Sequence, residues 1–175
     1  MRTVVLRVVA LALLLLLVLV GAIAVRTMQR LPDTTVYLVR DLGTSFTLEP
    51  VHRRLGRGSV EERVRQQLAA LAAGASDDAA ERQLSTLVPA DVVVRSARLD
   101  DGVLTVDLSM GFERGGGSAM MIGRLHQLFY TLTQPGDVDA VRLLLEGVEV
   151  RSFGGEGILV EQPWVRDGQP ERPVW

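Results

Sequence analysis

Side chains that could carry acid–base or nucleophilic chemistry are few and scattered in this sequence. The candidates are Asp107, Glu113, Asp137, Asp139, His52, His126, Ser109, Ser118 and Thr131. They show no Ser-His-Asp order, no H-E-x-x-H motif and no spacing of metal ligands. Cysteine is absent, which excludes disulfides, thiolate metal sites and a cysteine nucleophile. The sequence therefore predicts a protein without an enzymatic site, a metal or a cofactor.

Asp107 is the strongest candidate for a catalytic carboxylate, and a hydrolase would combine it with Glu113. The preferred interpretation is structural. Asp107 lies on the polar face of a predicted strand, where its carboxylate can accept hydrogen bonds from backbone N–H groups of the following loop. His126 is next to Leu125 on a predicted apolar helix face, so we expect it to border the core.

A glycine-rich loop precedes that helix. Gly115, Gly116, Gly117 and Ser118 could cradle an anion, because free N–H groups and the helix dipole converge at a helix N-terminus. A P-loop also needs a lysine, and the chain has none. The alternative is a flexible loop in which Ser118 is the N-cap. Phe112, just upstream, is predicted to insert into the core.

Arg53, Arg54 and Arg57 form a basic cluster on or just after a predicted strand that contains Pro50. Proline removes a hydrogen-bond donor from a strand, so this strand is predicted to lie at a sheet edge. Cations on an edge discourage pairing with other sheets. The cluster could also contact an acidic partner or anionic lipid headgroups.

Trp164 and Trp175 lie in the segment 161–175, which also contains three prolines. This composition predicts an extended tail. Large aromatic side chains of a tail either pack on the domain or anchor a partner protein, and both tryptophans are therefore candidate interaction residues.

The elements that must position these residues centre on the stretch 103–147. Its first strand, VLTVDLS, alternates between a polar and an apolar face. The following helix carries an apolar stripe of Met121, Leu125, Leu128 and Leu132. Pro135 and Gly136 end this helix, and a nearly continuous apolar strand follows at 138–146. The pattern predicts one strand–loop–helix–strand unit with a buried sheet face.

Upstream, strands are predicted at 34–40 and 47–55, and a helix at 59–73 whose start, Ser59 and Glu62, matches a capping box. A strand at 92–99 leads into the unit through a hairpin turn. The order β-(β)-α-β-β-α-β predicts an α+β fold, a small two-layer sandwich with two helices on one face of a mixed or antiparallel sheet. Ferredoxin-like folds have this layout.

A run of motifs resembles the GerMN domain, a module named from bacterial sporulation and spore-germination proteins. The motifs are LSTLVPADVVVRSARLDDGVLTVDLS, a phenylalanine after a loop, a helix ending in YTLTQ, and the strand PGDVDAVRLLLEG. The resemblance covers residues 34–160. It implies a small α/β sandwich close to the ring-building modules of secretion and sporulation machinery, and a role in binding other proteins.

The N-terminus predicts export. Val4 to Val25 is apolar apart from Arg7, and about 20 such residues span a bilayer of roughly 30 Å. Residues 1–26 are therefore predicted to be a transmembrane anchor, followed by a linker at 27–33. The alternative is a signal peptide that is cleaved after Ala24, which would release a secreted or periplasmic protein.

Charge distribution disfavours nucleic acid as a partner. The first 30 residues contain four of the 19 basic residues and none of the 21 acidic residues, so the rest of the chain has a net charge of −6. Nucleic-acid affinity depends on neutralising phosphates with cations.

Two functional hypotheses follow. The first is a non-enzymatic, single-pass membrane protein whose domain lies outside the cytoplasm and binds an envelope protein, or another copy of itself, through a sheet edge or face. The alternative is a domain that binds a small ligand or cell-wall glycan in a pocket near the loop 111–118.

Overall fold

The computed structural model describes residues 13–22, 33–43, 45–75, 82–134, 136–154, 157–160 and 163–166. The chain forms two units, Met1–Pro32 and Asp33–Trp175. In the first unit, residues 13–22 are helical and exposed. No helix within the described ranges is long and apolar enough to cross a membrane. The predicted span Val4–Val25 and the predicted linker 27–33 lie in large part outside the described residues.

The described strands of the second unit divide between two main sheets and one small pair. Strands β1 (Thr34–Asp41), β2 (Phe46–Arg53) and β3 (Leu84–Ser85) form an antiparallel sheet in the order β2-β1-β3. The second sheet contains β4 (Val94–Asp100), β5 (Val103–Leu108), β6 (Ala140–Leu145), β7 (Val148–Glu149) and β10 (Trp164–Val165). Its order is β10-β6-β5-β4, with β7 also paired to β6. Only the β5–β6 pair in it is parallel. Strands β8 (Ser152–Phe153) and β9 (Ile158–Leu159) form the small pair.

Among the described residues, two α-helices connect these strands, α1 (Val60–Ala73) and α2 (Ser118–Leu132), and a short 3₁₀ helix spans Met110–Glu113. The predicted capping box of α1 is present: Ser59 Oγ accepts from Glu62 N at 3.3 Å, and Glu62 Oε2 accepts from Ser59 N at 2.8 Å. The predicted α+β class and element order are confirmed, with short strands added. The single sheet that was expected is instead divided into two.

The core lies on one face of the mixed sheet. Residues 104, 106 and 108 of β5 stand in register with residues 141, 143 and 145 of β6, and all six side chains are buried. The helices cover this face with two apolar stripes: Val64, Leu68 and Leu71 of α1, and Leu125, Leu128 and Leu132 of α2. Full burial of each such side chain stabilises the fold by roughly 1.5–3 kcal/mol.

The edge of β1 that faces away from β2 is completed by a helix. Strand β3 pairs with only two residues near the end of β1, so earlier backbone groups need other partners. Thr131 Oγ1 of α2 accepts from Tyr37 N at 3.1 Å, and Gln134 Oε1 accepts from Thr35 N at 2.8 Å. Gln134 Nε2 also donates to Thr35 O. Side chains that follow one face of α2 thus replace a neighbouring strand.

Gln127 extends this arrangement. Its buried amide donates from Nε2 to Tyr37 O at 2.9 Å and accepts at Oε1 from Leu87 N at 2.7 Å. Gln127 and Thr131 are four residues apart and lie on one side of α2, and Gln134 follows two residues after the helix ends. We call them the α2 polar row. Because this row occupies the edge of β1, the first sheet ends at the helix and does not continue into the second sheet.

We predict that Thr131→Val destabilises the domain by about 1–3 kcal/mol, because it keeps the side-chain shape but leaves the buried Tyr37 N–H without an acceptor. The free energy of unfolding is measured by urea titration of the full-length protein in detergent micelles, with tryptophan fluorescence as the signal. Thr105→Val is the matched control, since Thr105 is half-exposed on β5, and we expect it to change stability by less than about 0.5 kcal/mol. Equal effects of the two substitutions would contradict the role of Thr131.

Candidate functional site

Asp107, the strongest sequence candidate for chemistry, holds a turn. Its Oδ1 accepts from Gly147 N at 2.9 Å, and its Oδ2 accepts from Arg95 Nε at 3.2 Å. Arg95 Nη1 also donates to Glu146 Oε2 at 2.6 Å. The sequence favoured a structural role for Asp107 but assigned it to the loop after β5. The contact is made to the turn after β6, because parallel pairing places the ends of β5 and β6 side by side.

Glu113, the other carboxylate of the hydrolase hypothesis, also binds the backbone. Its Oε1 accepts from Gly154 N at 2.7 Å, which connects the 3₁₀ helix to the end of β8. Ser109 Oγ accepts from Val93 N at 3.0 Å. Within the described part of the chain, no group of three or more His, Cys, Asp or Glu residues is placed to hold a metal ion.

Arg124 determines the conformation of the glycine-rich loop. It is only 3% exposed, and it donates to four carbonyl oxygens: Leu87 at 2.7 Å, Phe112 at 2.7 Å, Arg114 at 3.1 Å and Gly115 at 3.1 Å. Burial lowers the pKa of the Arg124 guanidinium from its ordinary value. The carbonyl dipoles replace water around this cation, and arginine remains charged in such surroundings.

The sequence interpretation did not include Arg124, although an arginine beside Leu125 on an apolar helix face was a visible signal. The loop that it organises contains the candidate residues Gly115, Gly116, Gly117 and Ser118. Ser118 was predicted to be the N-cap, but the helix starts at Ser118 and Gly117 is the N-cap, without a side-chain cap bond. Phe112 is fully buried with its ring centroid 5.4 Å from that of Phe153, in agreement with the predicted insertion into the core.

Trp164 lies in the segment predicted as a tail, in strand β10, which pairs with β6. Its half-buried indole stacks on Phe129 with ring centroids 5.2 Å apart and meets Tyr130 edge-on at 4.8 Å. Arg166, which the sequence interpretation did not consider, donates from Nε to Thr133 O at 2.9 Å and from Nη2 to Tyr130 O. These contacts attach residues 163–166 to α2. Trp175 lies outside the described residues.

An apolar groove lies beside Trp164, between α2 and the strands β9 and β10. Its volume is about 410 Å³, and its walls include Ile122, His126, Phe129, Ile158, Leu159 and Val165. Leu159 is 72% exposed and Val165 is 63% exposed. We call this feature the Trp164 groove. Exposed aliphatic side chains around a concave aromatic surface are typical of binding sites.

The basic cluster of Arg53, Arg54 and Arg57 lies at the end of the domain where the chain enters it. Arg53 pairs with Thr34 in the β1–β2 ladder, and Arg53 O accepts from Asp33 N at 3.1 Å. Arg54 and Arg57 are exposed. The ion pairs found among the described residues do not include these three arginines. Strand β2 is an edge strand, as Pro50 predicted.

A larger cavity, of about 650 Å³, lies next to this cluster. It is lined by both polar and apolar side chains, including Arg57, Gln66, Gln134, Asp137, Leu104 and Leu132. Arg63 Nη2 and Asp137 Oδ2 form an ion pair at 2.5 Å in its wall, and the buried Oε1 of Gln66 has no hydrogen-bond partner among the described residues. This cavity has the size of a small-molecule site.

Asp33 joins the start of β1 to the loop after β2. Its carboxylate accepts from Leu55 N and Gly56 N, both at 2.9 Å. The bond from Leu55 is the main cause that lowers the pKa of the Asp33 carboxyl below its ordinary value, while desolvation acts in the opposite direction.

We predict that Asp33 contributes to the stability of the fold above about pH 4 and that this contribution is lost in more acidic solution, as the pH falls through the lowered pKa of the folded state. In Asp33→Asn the side chain cannot titrate. The stability difference between wild type and variant should therefore shrink as the pH falls from 6 to about 3. Urea unfolding across this range measures it, and a difference that stays constant would contradict the assignment.

Sequence and structure comparisons identify relatives of this domain. The model of the Germane family, described as sporulation and spore germination, matches residues 35–151. No curated protein sequence matches the chain significantly.

Two solved structures of the sporulation protein GerM from Bacillus subtilis share the fold. The first GerMN domain is 20% identical, with a TM-score of 0.62, over 76% of this chain and 96% of that chain. The tandem GerMN domains are 19% identical, with a TM-score of 0.61, over 76% of this chain and 45% of that chain. The chain thus spans about half the length of the tandem structure. Since the family model matches about two thirds of its residues, this chain belongs to the Germane family of sporulation and spore germination domains.

Proposed function

We propose that this chain is a non-enzymatic assembly module of the bacterial cell envelope. Residues Val4 to Val25 anchor it in the membrane. Its GerMN-type domain lies outside the cytoplasm and binds another envelope protein. The Trp164 groove is the observation that carries this proposal. It combines an aromatic wall with two aliphatic side chains, Leu159 and Val165, that are mostly exposed in the domain. Apolar surface of this kind is stabilised when a partner covers it.

The polar side chains support the same proposal. Asp107, Glu113 and Arg124 bind backbone groups that hold turns and loops in place. A catalytic carboxylate or cation has to be able to reach a substrate, and these groups are already committed to the fold. What the domain presents to other molecules is therefore shape and apolar surface.

The basic cluster supports the membrane attachment. Arg53, Arg54 and Arg57 lie at the end of the domain from which the sequence continues towards the apolar segment. Cations near a bilayer are attracted to anionic lipid headgroups, each by about 1 kcal/mol. These cations therefore favour contact between this end of the domain and an anionic membrane surface.

Site-specific photocrosslinking tests the proposal. A photoreactive phenylalanine analogue replaces Leu159 in the full-length protein in its native membrane, and crosslinked species are identified by mass spectrometry. Val148 is the matched control, because it is a similarly exposed aliphatic residue on β7, 70% exposed against 72% for Leu159. We expect one reproducible envelope protein at position 159 and a weaker or absent product at position 148.

The same samples report the N-terminus. A recovered protein that still contains Arg2 supports the membrane anchor, whereas a chain that starts at Val25 would replace the anchor with a cleaved signal peptide. Equal crosslinking at positions 159 and 148, or none at either, would contradict a docking role for the groove.

The cavity beside the basic cluster favours a second candidate function, the binding of a small ligand. The partnerless Gln66 Oε1 can accept a hydrogen bond from such a ligand, and Arg57 can bind an acceptor or an anionic group. The described residues that line this cavity include no aromatic side chain, so they offer no surface on which a sugar ring could stack. A chain that crosslinks to no protein would make this candidate the better account.

A further inference from the structure

A second surface, independent of the Trp164 groove, is the free edge of β4. This strand ends the mixed sheet in the described part of the domain, with β5 on its other side. A register irregularity is confined to Val94 and Ser96, and from Ser96 to Asp100 the pairing with β5 is regular. At about 3.3 Å per residue, these five residues present an edge of roughly 17 Å.

The backbone groups on this edge can be assigned from the neighbouring strand. Leu108 O accepts from Glu146 N at 3.0 Å, so even-numbered residues of β5 face β6 and odd-numbered residues face β4. Ser96, Arg98 and Asp100 stand opposite odd-numbered residues of β5 and therefore turn their backbone groups towards it. The N–H and C=O groups of Ala97 and Leu99 consequently point away from the sheet, where they could pair with an added strand.

Helix α1 runs beside this edge and forms the other wall of a groove. Glu61, Arg65, Ala69 and Ala72 recur at intervals of four, four and three residues, so they lie on one helix face. Near the start of α1, this face and β4 border a shallow, open depression of about 630 Å³ that Ala97 also lines. Near the end of α1, a cavity of about 460 Å³ lies between the alanines and residues 92–94. The two cavities share no lining residue and follow one another along α1, the first beside residues 97–99 and the second beside residues 92–94. We call the surface that joins them the groove between β4 and α1.

The side chains of the groove select a neutral occupant. Arg65 Nη2 is paired with Glu61 Oε1 at 2.5 Å, and Arg98 Nε is paired with Asp100 Oδ2 at 2.5 Å. Glu62 accepts from Ser59 in the capping box. The charges in the lining therefore already have partners. The side chains of Ala69 and Ala72 end at Cβ, which leaves room for small or medium apolar side chains of a ligand.

We propose that the groove between β4 and α1 binds an extended, uncharged peptide segment of another protein. The segment adds a strand to the edge of β4 through the backbone groups of Ala97 and Leu99, and it directs alternate small apolar side chains, such as alanine or valine, towards the alanines of α1. In this mode of recognition, main-chain hydrogen bonds supply affinity and the side-chain pockets supply specificity. The proposal goes beyond the function proposed above, because it concerns a different surface and a different kind of ligand.

A second copy of the chain fits this edge less well, and the other free edge, that of β2, suits an added strand less well. A symmetric antiparallel pairing of two β4 strands about the centre of the regular stretch would place Arg98 opposite Arg98 of a second copy, and like charges directly opposite each other are destabilising. The edge of β2 offers an internal contrast, because Pro50 removes a donor from the middle of that strand. An added strand would therefore pair better with β4 than with β2.

The test uses ¹⁵N-labelled full-length protein in detergent micelles and a defined probe, a seven-residue peptide of alternating valine and serine that is blocked at both ends. Titration should shift the amide resonances of Ser96 to Asp100 and slow hydrogen exchange of the Ala97 and Leu99 amides. A peptide of the same length with a central proline is the ligand control, since it cannot pair continuously, and we expect it to bind at least tenfold more weakly.

Two variants complete the test. Ala69→Arg fills the groove from an exposed helix position, and it should weaken binding of the valine–serine peptide at least tenfold. Ala119→Arg is the control, because it makes the same change on the exposed surface of α2, and it should leave binding unchanged. Absence of shifts in β4, equal binding of the proline peptide, or insensitivity to Ala69→Arg would overturn the proposal. Concentration-dependent dimerisation with shifts in β4 would overturn it in favour of a second copy.

Discussion

The hydrogen bonds between α2 and the open edge of β1 are the interaction on which the rest of this domain depends. A strand whose backbone groups are buried has to find partners for them, and here the α2 polar row supplies them for Thr35 and Tyr37. Since the helix occupies this edge, the strands separate into two sheets. The same helix covers the mixed sheet with its apolar stripe, so that one element closes both parts of the core.

The polar side chains of the domain also serve the fold. Asp107 and Glu113, the carboxylates that the sequence singled out, accept hydrogen bonds from backbone N–H groups, and Arg124 of α2, which the sequence interpretation did not include, donates to backbone carbonyls. The described residues present other molecules with the Trp164 groove, the free edge of β4 and the basic end of the domain with its adjacent cavity. The first and third of these features support the proposed role in binding an envelope protein at a membrane.

Local patterns in the sequence predicted local structure well. The capping box at Ser59, the alternation in β5 and the apolar stripe of α2 each depend on neighbours within a few residues, and each is present. Contacts between distant segments could not be predicted in this way. In the sequence, Gln127 and Gln134 look like ordinary polar residues of a helix. Their hydrogen bonds to the backbone of β1 depend on the folded chain bringing β1 beside them. The position of Trp164 likewise depends on β10 pairing with β6, which no local pattern indicates.

Amide hydrogen exchange of the ¹⁵N-labelled protein, resolved residue by residue by NMR, tests the central claim most directly. If the α2 polar row completes the edge of β1, the amides of Thr35 and Tyr37 should exchange as slowly as those of Val106 and Leu143 in the core, because only unfolding of the domain would expose them. Exchange of Thr35 and Tyr37 as fast as that of Ala97 and Leu99, on the free edge of β4, would show that the helix does not replace a strand and would contradict the account.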